Sequence, residues 1–259
     1  MGAPTSSNLH GVPGPFELQV ARGQIAGHSS VIIFGYNPDL DTTEELVWPD
    51  GGTIQHPSSA SILKVSSTSA NDAQNGTGAR TVTIVGLDSN YIEQTEVVTL
   101  NGQSAVNTVN SYLYINQFYV NTVGTGAANE GTINIGTGVV TAGVPAVLYD
   151  LIAPSFNTRT TAHYCVPAGY TGYLVQGLFS AGQASGTTAV TGFLKQHGTD
   201  GILRVGAVTT VNNSAADYIF EIPYVIPEKN CVGASAVGAA SNNAVSAYFN
   251  ILLIKNNIS

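Results

Sequence analysis

The sequence is short of charge. Asp, Glu, Lys and Arg together supply 9% of its 259 residues, against roughly 25% in an average soluble protein. Lys and Arg number only 8, and the formal net charge is −8. Such a chain offers no cationic footprint to a phosphate backbone, so direct nucleic-acid binding is not expected. Helix surfaces draw on Glu, Lys, Arg and Gln, so the same scarcity argues against a helical protein. No apolar run approaches the roughly 18 residues of a membrane-spanning helix, and no membrane span is expected. The first twenty residues have neither the basic start nor the apolar core of a secretory leader. Cysteine is scarce too: only Cys165 and Cys231 are present. The paired Cys spacing of zinc ribbons is thereby excluded. With nothing to indicate an oxidising compartment, two isolated buried thiols are expected in preference to a disulfide.

Catalytic signatures are missing as well. There is no Gly-x-Ser-x-Gly elbow. The five histidines, His10, His28, His56, His163 and His197, form no His-x-x-x-His or His-Glu-x-x-His pair. His163 and Cys165 alternate onto one strand face, which reads as core packing and not as a nucleophile with its base. In "ANDAQNGTGARTVTIVGLDSNY" (70–91), Gly76 and Gly78 do not open a dinucleotide fingerprint. Thr81 stands where a third glycine belongs, and the stretch runs into a strand, not a helix N-terminus. It reads as a turn between strands, with Asn71 and Asp72 bonding nearby backbone amides. No enzyme activity and no cofactor are expected.

What fills the chain is Gly (29 residues), Tyr (12) and abundant Val, Thr, Ser and Asn, the residues of strands and turns. An all-β fold follows. Strand-like segments recur every 8 to 12 residues or so from Val31 onward, the spacing of sandwiches and barrels. Examples are "VIIFGY" (31–36), "RTVTIVGL" (80–87), "SYLYINQFYV" (111–120) and "AVSAYFNILLI" (244–254). In the last, period-2 alternation puts Val245, Ala247, Phe249, Ile251 and Leu253 on a core face. Asn101-Gly102 has the chemistry of a type I′ hairpin. The texture changes between about residues 142 and 160. The organisation expected is an extended N-terminal arm (1–27), a β-sandwich domain (28–145) and a second, jelly-roll-like β-sandwich domain (146–259).

The arm is too rich in Gly and Pro to build a core. Its alternating Phe16, Leu18 and Val20, with Ile25, suit docking on a partner. Asp39, Asp41 and Glu44 could gather oxygens around a cation, but the offsets of an EF-hand are absent and a solvated loop is expected. The sole tryptophan, Trp48, reads as core packing beneath that loop.

"DLDTTEELVW" (39–48), "SSTSANDAQNGTGARTVTIVGLDSNYIEQTEVVTLNG" (66–102) and the C-terminal run from "VPAGYTGYLVQG" to "AVSAYFNILLI" resemble modules of virion structural proteins of tailed bacteriophages, notably those of marine bacteria and cyanobacteria. The resemblance spans roughly residues 38 to 254. It implies a non-enzymatic virion component that decorates or cements the capsid, with a fibre or tail component as the alternative. It names no catalytic residues. The partners implied are further copies of the chain, with a trimer as first guess, and the major capsid protein or another virion protein. The end of the C-terminal strand, Leu252 and Ile254, is too apolar for open solvent and is the expected oligomer face.

Overall fold

A computed structural model describes residues 14–53, 55–183 and 188–257. Residues 1–13 of the expected arm lie outside the described residues. The secondary-structure elements of the described chain are nearly all strands. One short helix, α1 (Phe16–Ala21), precedes β1 (His28–Leu40), β2 (Glu45–Leu46), β3 (Ser61–Ser67), β4 (Ala79–Leu87), β5 (Glu93–Thr99), β6 (Val106–Tyr112), β7 (Tyr114–Val123) and β8 (Ile133–Thr141). Then follow β9 (Val144–Ile152), β10 (His163–Cys165), β11 (Tyr170–Gln183), β12 (Ala189–His197), β13 (Leu203–Asn212), β14 (Ser214–Ile226), β15 (Cys231–Gly238) and β16 (Asn243–Lys255).

These strands make four antiparallel sheets. Two of them, β1-β16-β11-β14 and β10-β15-β12-β13 with β2 beside β15, share one apolar cluster. The other two, β6-β3-β8-β9 and β5-β4-β7, share a second. Each sheet turns one apolar face inward, as alternation requires when one face is buried. In β16 the expected face is the buried one: Val245, Ala247, Phe249, Ile251 and Leu253 all enter the first cluster. Trp48 is buried, as its reading required.

The strand pairing departs from the expected partition in two places. β1 lies against β16, His28 opposite Ile254 and Ile33 opposite Phe249, and β2 pairs with β15. Residues 28–46 therefore belong to the sheets of the C-terminal half. Conversely, β9 pairs with β8 and stays with the N-terminal sheets, so a cut at 145/146 falls inside a strand. Sequence texture reports local composition; it carries no information on which distant strand a segment pairs with.

Local readings needed correction too. The alternation Phe16–Leu18–Val20 is helical, not extended. Pro15 sets the entry at φ −55°, Glu17 sits in the first turn, and Gly23 closes the end at φ +65°. Asn101-Gly102 does not close a hairpin, because β5 and β6 run into different sheets. Likewise 68–78 is a crossing loop between the sheets of β3 and β4. Its organiser is Asp72, fully buried, which bonds backbone amides, though of these only Ala79 is near in sequence and the other two lie at 130 and 131. Its carboxylate accepts from Ser67 Oγ (2.6 Å) and from the amides of Ala79 (2.8 Å), Glu130 and Gly131 (both 2.9 Å). A Cβ on Gly78 would stand 2.1 Å from Asp72 Oδ1, so that glycine is required by the carboxylate.

Candidate functional site

Where the sheet of β10, β15 and β12 meets the ends of β4 and β7, chemistry gathers that the sequence had scattered. Cys165 on β10 lies opposite Cys231 on β15, and Cys231 lies opposite His197 on β12. One row across three neighbouring strands thus carries Cys, Cys and His. His163, two residues before Cys165, shares its face. This face is turned away from the sheet's own core, which takes the alternate residues Tyr164, Val232 and Leu194.

The expectation of separate thiols is overturned: Cys165 and Cys231 form a disulfide, with Cα atoms 3.9 Å apart. They stand 66 positions apart in sequence, and the pairing of β10 with β15 makes them neighbours. Leu87 and Tyr114 pack over the bridge in a small third cluster. Three imidazoles flank it. The rings of His163 and His197 stack with centroids 6.0 Å apart, and that of His56 lies 6.4 Å from His197 and 4.6 Å from the ring of Tyr114. His56, His163 and His197 line an open cleft of about 240 Å³ with Glu44, Lys195 and Ser235. Among the described residues, His163, His197 and Cys231 are the His, Cys, Asp or Glu grouping with donor atoms close enough for a metal ion, all within 4.8 Å of one another.

A buried polar framework fixes this face. The Asn116 side chain on β7 clamps Cys165 as a strand would, donating to its carbonyl (2.8 Å) and accepting from its amide (3.0 Å). Arg159, buried, pairs through Nε with Asp150 on β9 at 2.8 Å. Its Nη atoms donate to the carbonyls of Ile115 (2.9 Å), Asn116 (2.6 Å) and His163 (3.2 Å). Thr161 Oγ and the Leu151 amide complete the Asp150 carboxylate. Burial raises the Asp150 carboxyl and lowers the Arg159 guanidinium, and each charge opposes the other's shift.

Burial also holds the His163 imidazole well below the ordinary histidine range, with His197, Arg159 and His56 acting in the same direction. His197 is lowered likewise, first by burial and then by His56, and Asp200 opposes this. The pH dependence follows. Above about pH 6.5 both rings are neutral in the folded and unfolded chain and the fold keeps its full stability. Below that value the unfolded chain takes up protons that the folded chain refuses, so stability falls as pH drops. Thermal melts between pH 7.5 and 5.5 are expected to show that decline. His163→Gln, which takes up no proton, flattens it; an unchanged slope in that variant would assign the decline elsewhere.

Of the candidate site residues named from sequence, Glu44 alone reaches this junction, in the wall of the cleft. Asp39 and Asp41 are exposed. Glu44 is paired with Lys195 and accepts from Ser235, and none of the three belongs to the metal-capable grouping. Phe16 and Leu18 are exposed and Val20 is buried, with Ile25 half-buried. Leu252 and Ile254 lie half-buried on the outer face of β16, beside the exposed Ile32 and Phe34 of β1. The junction itself was missed. Its one local signal was His163 two residues from Cys165; its other members reach it through strand register alone.

No family model matches the chain, and no curated protein matches it. Solved structures give partial overlaps with capsid proteins of infectious bursal disease virus. The VP2 subviral particle is 11% identical, covering 90% of this chain and 73% of that one, with a TM-score of 0.22. The T13 viral particle is 10% identical over 90% and 74%, with a TM-score of 0.21. The structure of the Gx strain is 12% identical over 93% and 76%, with a TM-score of 0.22. Overlaps this partial leave the role to be read from the chain's own surfaces and chemistry. No helix among the described residues is long and apolar enough to cross a membrane.

Proposed function

We propose that the chain is a non-enzymatic structural component of a virion, one that self-associates and decorates or cements the capsid surface. In this reading its sheets form two sandwich units, the C-terminal one jelly-roll-like, and its partners are its own copies and a coat protein; it binds no nucleic acid. The sequence resemblance to phage virion modules and the low charge support the class. The observation that carries self-association is a pair of open sheet edges. Among the described residues β13 ends one sheet and β14 ends another, and these successive strands leave Leu203, Val205, Val208, Ile219, Ile222 and Val225 exposed, Ile222 at 87%. Unpaired edges with apolar side chains are a ready template for strand addition, and uncharged patches of this kind mark contact surfaces.

The test is the oligomeric state. Light scattering at micromolar concentration is expected to give a closed oligomer, a trimer being the first choice. Ile219→Asp with Ile222→Asp should yield a folded monomer, since both side chains project to solvent and their loss costs the protomer little. A folded wild-type monomer would sink the proposal. Copy number per particle then separates the roles: a stoichiometry in step with the coat protein supports decoration, and a few copies per particle supports the fibre or tail alternative.

A further inference from the structure

The junction cluster is also a set of metal donors. We propose that in the reduced protein Cys165, Cys231, His163 and His197 bind one zinc-class divalent ion as a closed Cys2His2 site, and that ion and disulfide are alternative staples of the same three strands. The inference is independent of any virion role.

Geometry is the first support. The donor atoms of His163, His197 and Cys231 lie within 4.8 Å of one another, and Cys165 Sγ is 4.0 Å from His163 Nε2. Tetrahedral zinc with N and S ligands needs donor separations of roughly 3.3–3.8 Å, as its bond lengths dictate. On a fixed backbone the imidazoles must draw in by about 1 Å, and the two sulfurs, freed by reduction, must part from bonding distance to about 3.8 Å by side-chain rotation. The backbone is fixed: one ladder row sets Cys165, Cys231 and His197 side by side, and Asn116 and Arg159 hold the β10 segment through its main chain. Donor chemistry is the second support. Two thiolates with two imidazoles form a standard structural zinc set and disfavour calcium or magnesium, which take oxygen. The third is access, because the cleft beside the histidines opens to solvent.

The step balances without electron transfer. The ion replaces the two thiol protons, which pass to solvent, and four metal–ligand bonds form. Forming the disulfide instead removes two electrons and two protons, which a two-electron oxidant such as molecular oxygen or a small disulfide accepts. Each sulfur then has no thiolate charge to offer, so the two states exclude one another.

Cobalt(II) provides the readout. The full chain, unfolded and reduced with a phosphine, is refolded without oxygen in the presence of Co²⁺. Expected are about one equivalent bound, intense thiolate-to-cobalt charge-transfer bands, the visible bands of a tetrahedral ion, and displacement by Zn²⁺. The oxidised protein should show none of these bands. Cys231→Ser and His197→Gln should each lose at least the ~10–100-fold in affinity that disturbing even an outer-shell partner costs. His197 is partly exposed, and circular dichroism confirms that its variant folds. His56→Gln should bind as wild type. The proposal is overturned if the reduced chain takes up no cobalt, whether or not it folds. It is equally overturned if the bound ion lacks thiolate bands, if both ligand variants bind unchanged, or if His56→Gln abolishes binding.

Discussion

Arg159→Met is expected to destabilise the protein by about 3–5 kcal/mol, the usual cost of breaking a buried ion pair from one side. The side chain that replaces the guanidinium is apolar and of similar length, so packing changes little. What changes is pairing. Asp150, fully buried, keeps only Thr161 Oγ and the Leu151 amide, and its charge is left without a counter-ion. The carbonyls of Ile115, Asn116 and His163 lose their donor together, and unsatisfied buried acceptors each add to the cost. Replacing both partners, Asp150→Leu with Arg159→Met, should recover part of the loss, because an apolar pair leaves no orphaned charge. Urea unfolding of the two single variants and the double variant measures this directly. A single-variant loss under about 1 kcal/mol would put the pair in the class of weak surface bridges.

Asp72→Ala is the second large effect, again about 3–5 kcal/mol, at the upper end of single substitutions. Four donors converge on this carboxylate, three of them backbone amides from residues 79, 130 and 131. Bonds to a charged acceptor contribute about 1.5–3 kcal/mol each, though not additively. The loss should also be local. Hydrogen exchange at the amides of Ala79, Glu130 and Gly131 should accelerate ahead of amides in β11 or β16, because the carboxylate ties the crossing loop to the 130–131 segment and touches neither of those strands. Uniform acceleration across the molecule would show instead that the loop opens only with global unfolding.

The sequence carried the secondary structure well where one side of a strand faces a core. The alternation in 244–254 identifies its buried face correctly, since period 2 is a property of the strand itself. The same reasoning failed at Phe16–Leu18–Val20, where Pro15 at the entry and Glu17 in the first turn favour a helix. It failed at Asn101-Gly102, where turn chemistry is local but the destination of the two flanking strands is not. The junction was least legible of all. His163 lies on β10, His197 on β12 and Cys231 on β15, so their meeting depends on which strands neighbour which, and only long-range pairing fixes that. The lack of any sign of an oxidising compartment suggested separate thiols; two cysteines pair when adjacent strands bring them face to face.

The pairing of β1 with β16 sets a timetable for synthesis. Residues 28–40 leave the ribosome well before their hydrogen-bonding partner, residues 243–255. The intervening strands β3 to β9 pair only among themselves, so their sheets can close while translation continues. Until β16 emerges, "VIIF" (31–34) must wait as an unpaired, β-prone, uncharged segment, the kind that seeks another nascent chain on a crowded polysome. Slowing elongation ahead of β16, or deleting that strand, would prolong that exposure and divert product into aggregates, even though no residue of β1 had been altered.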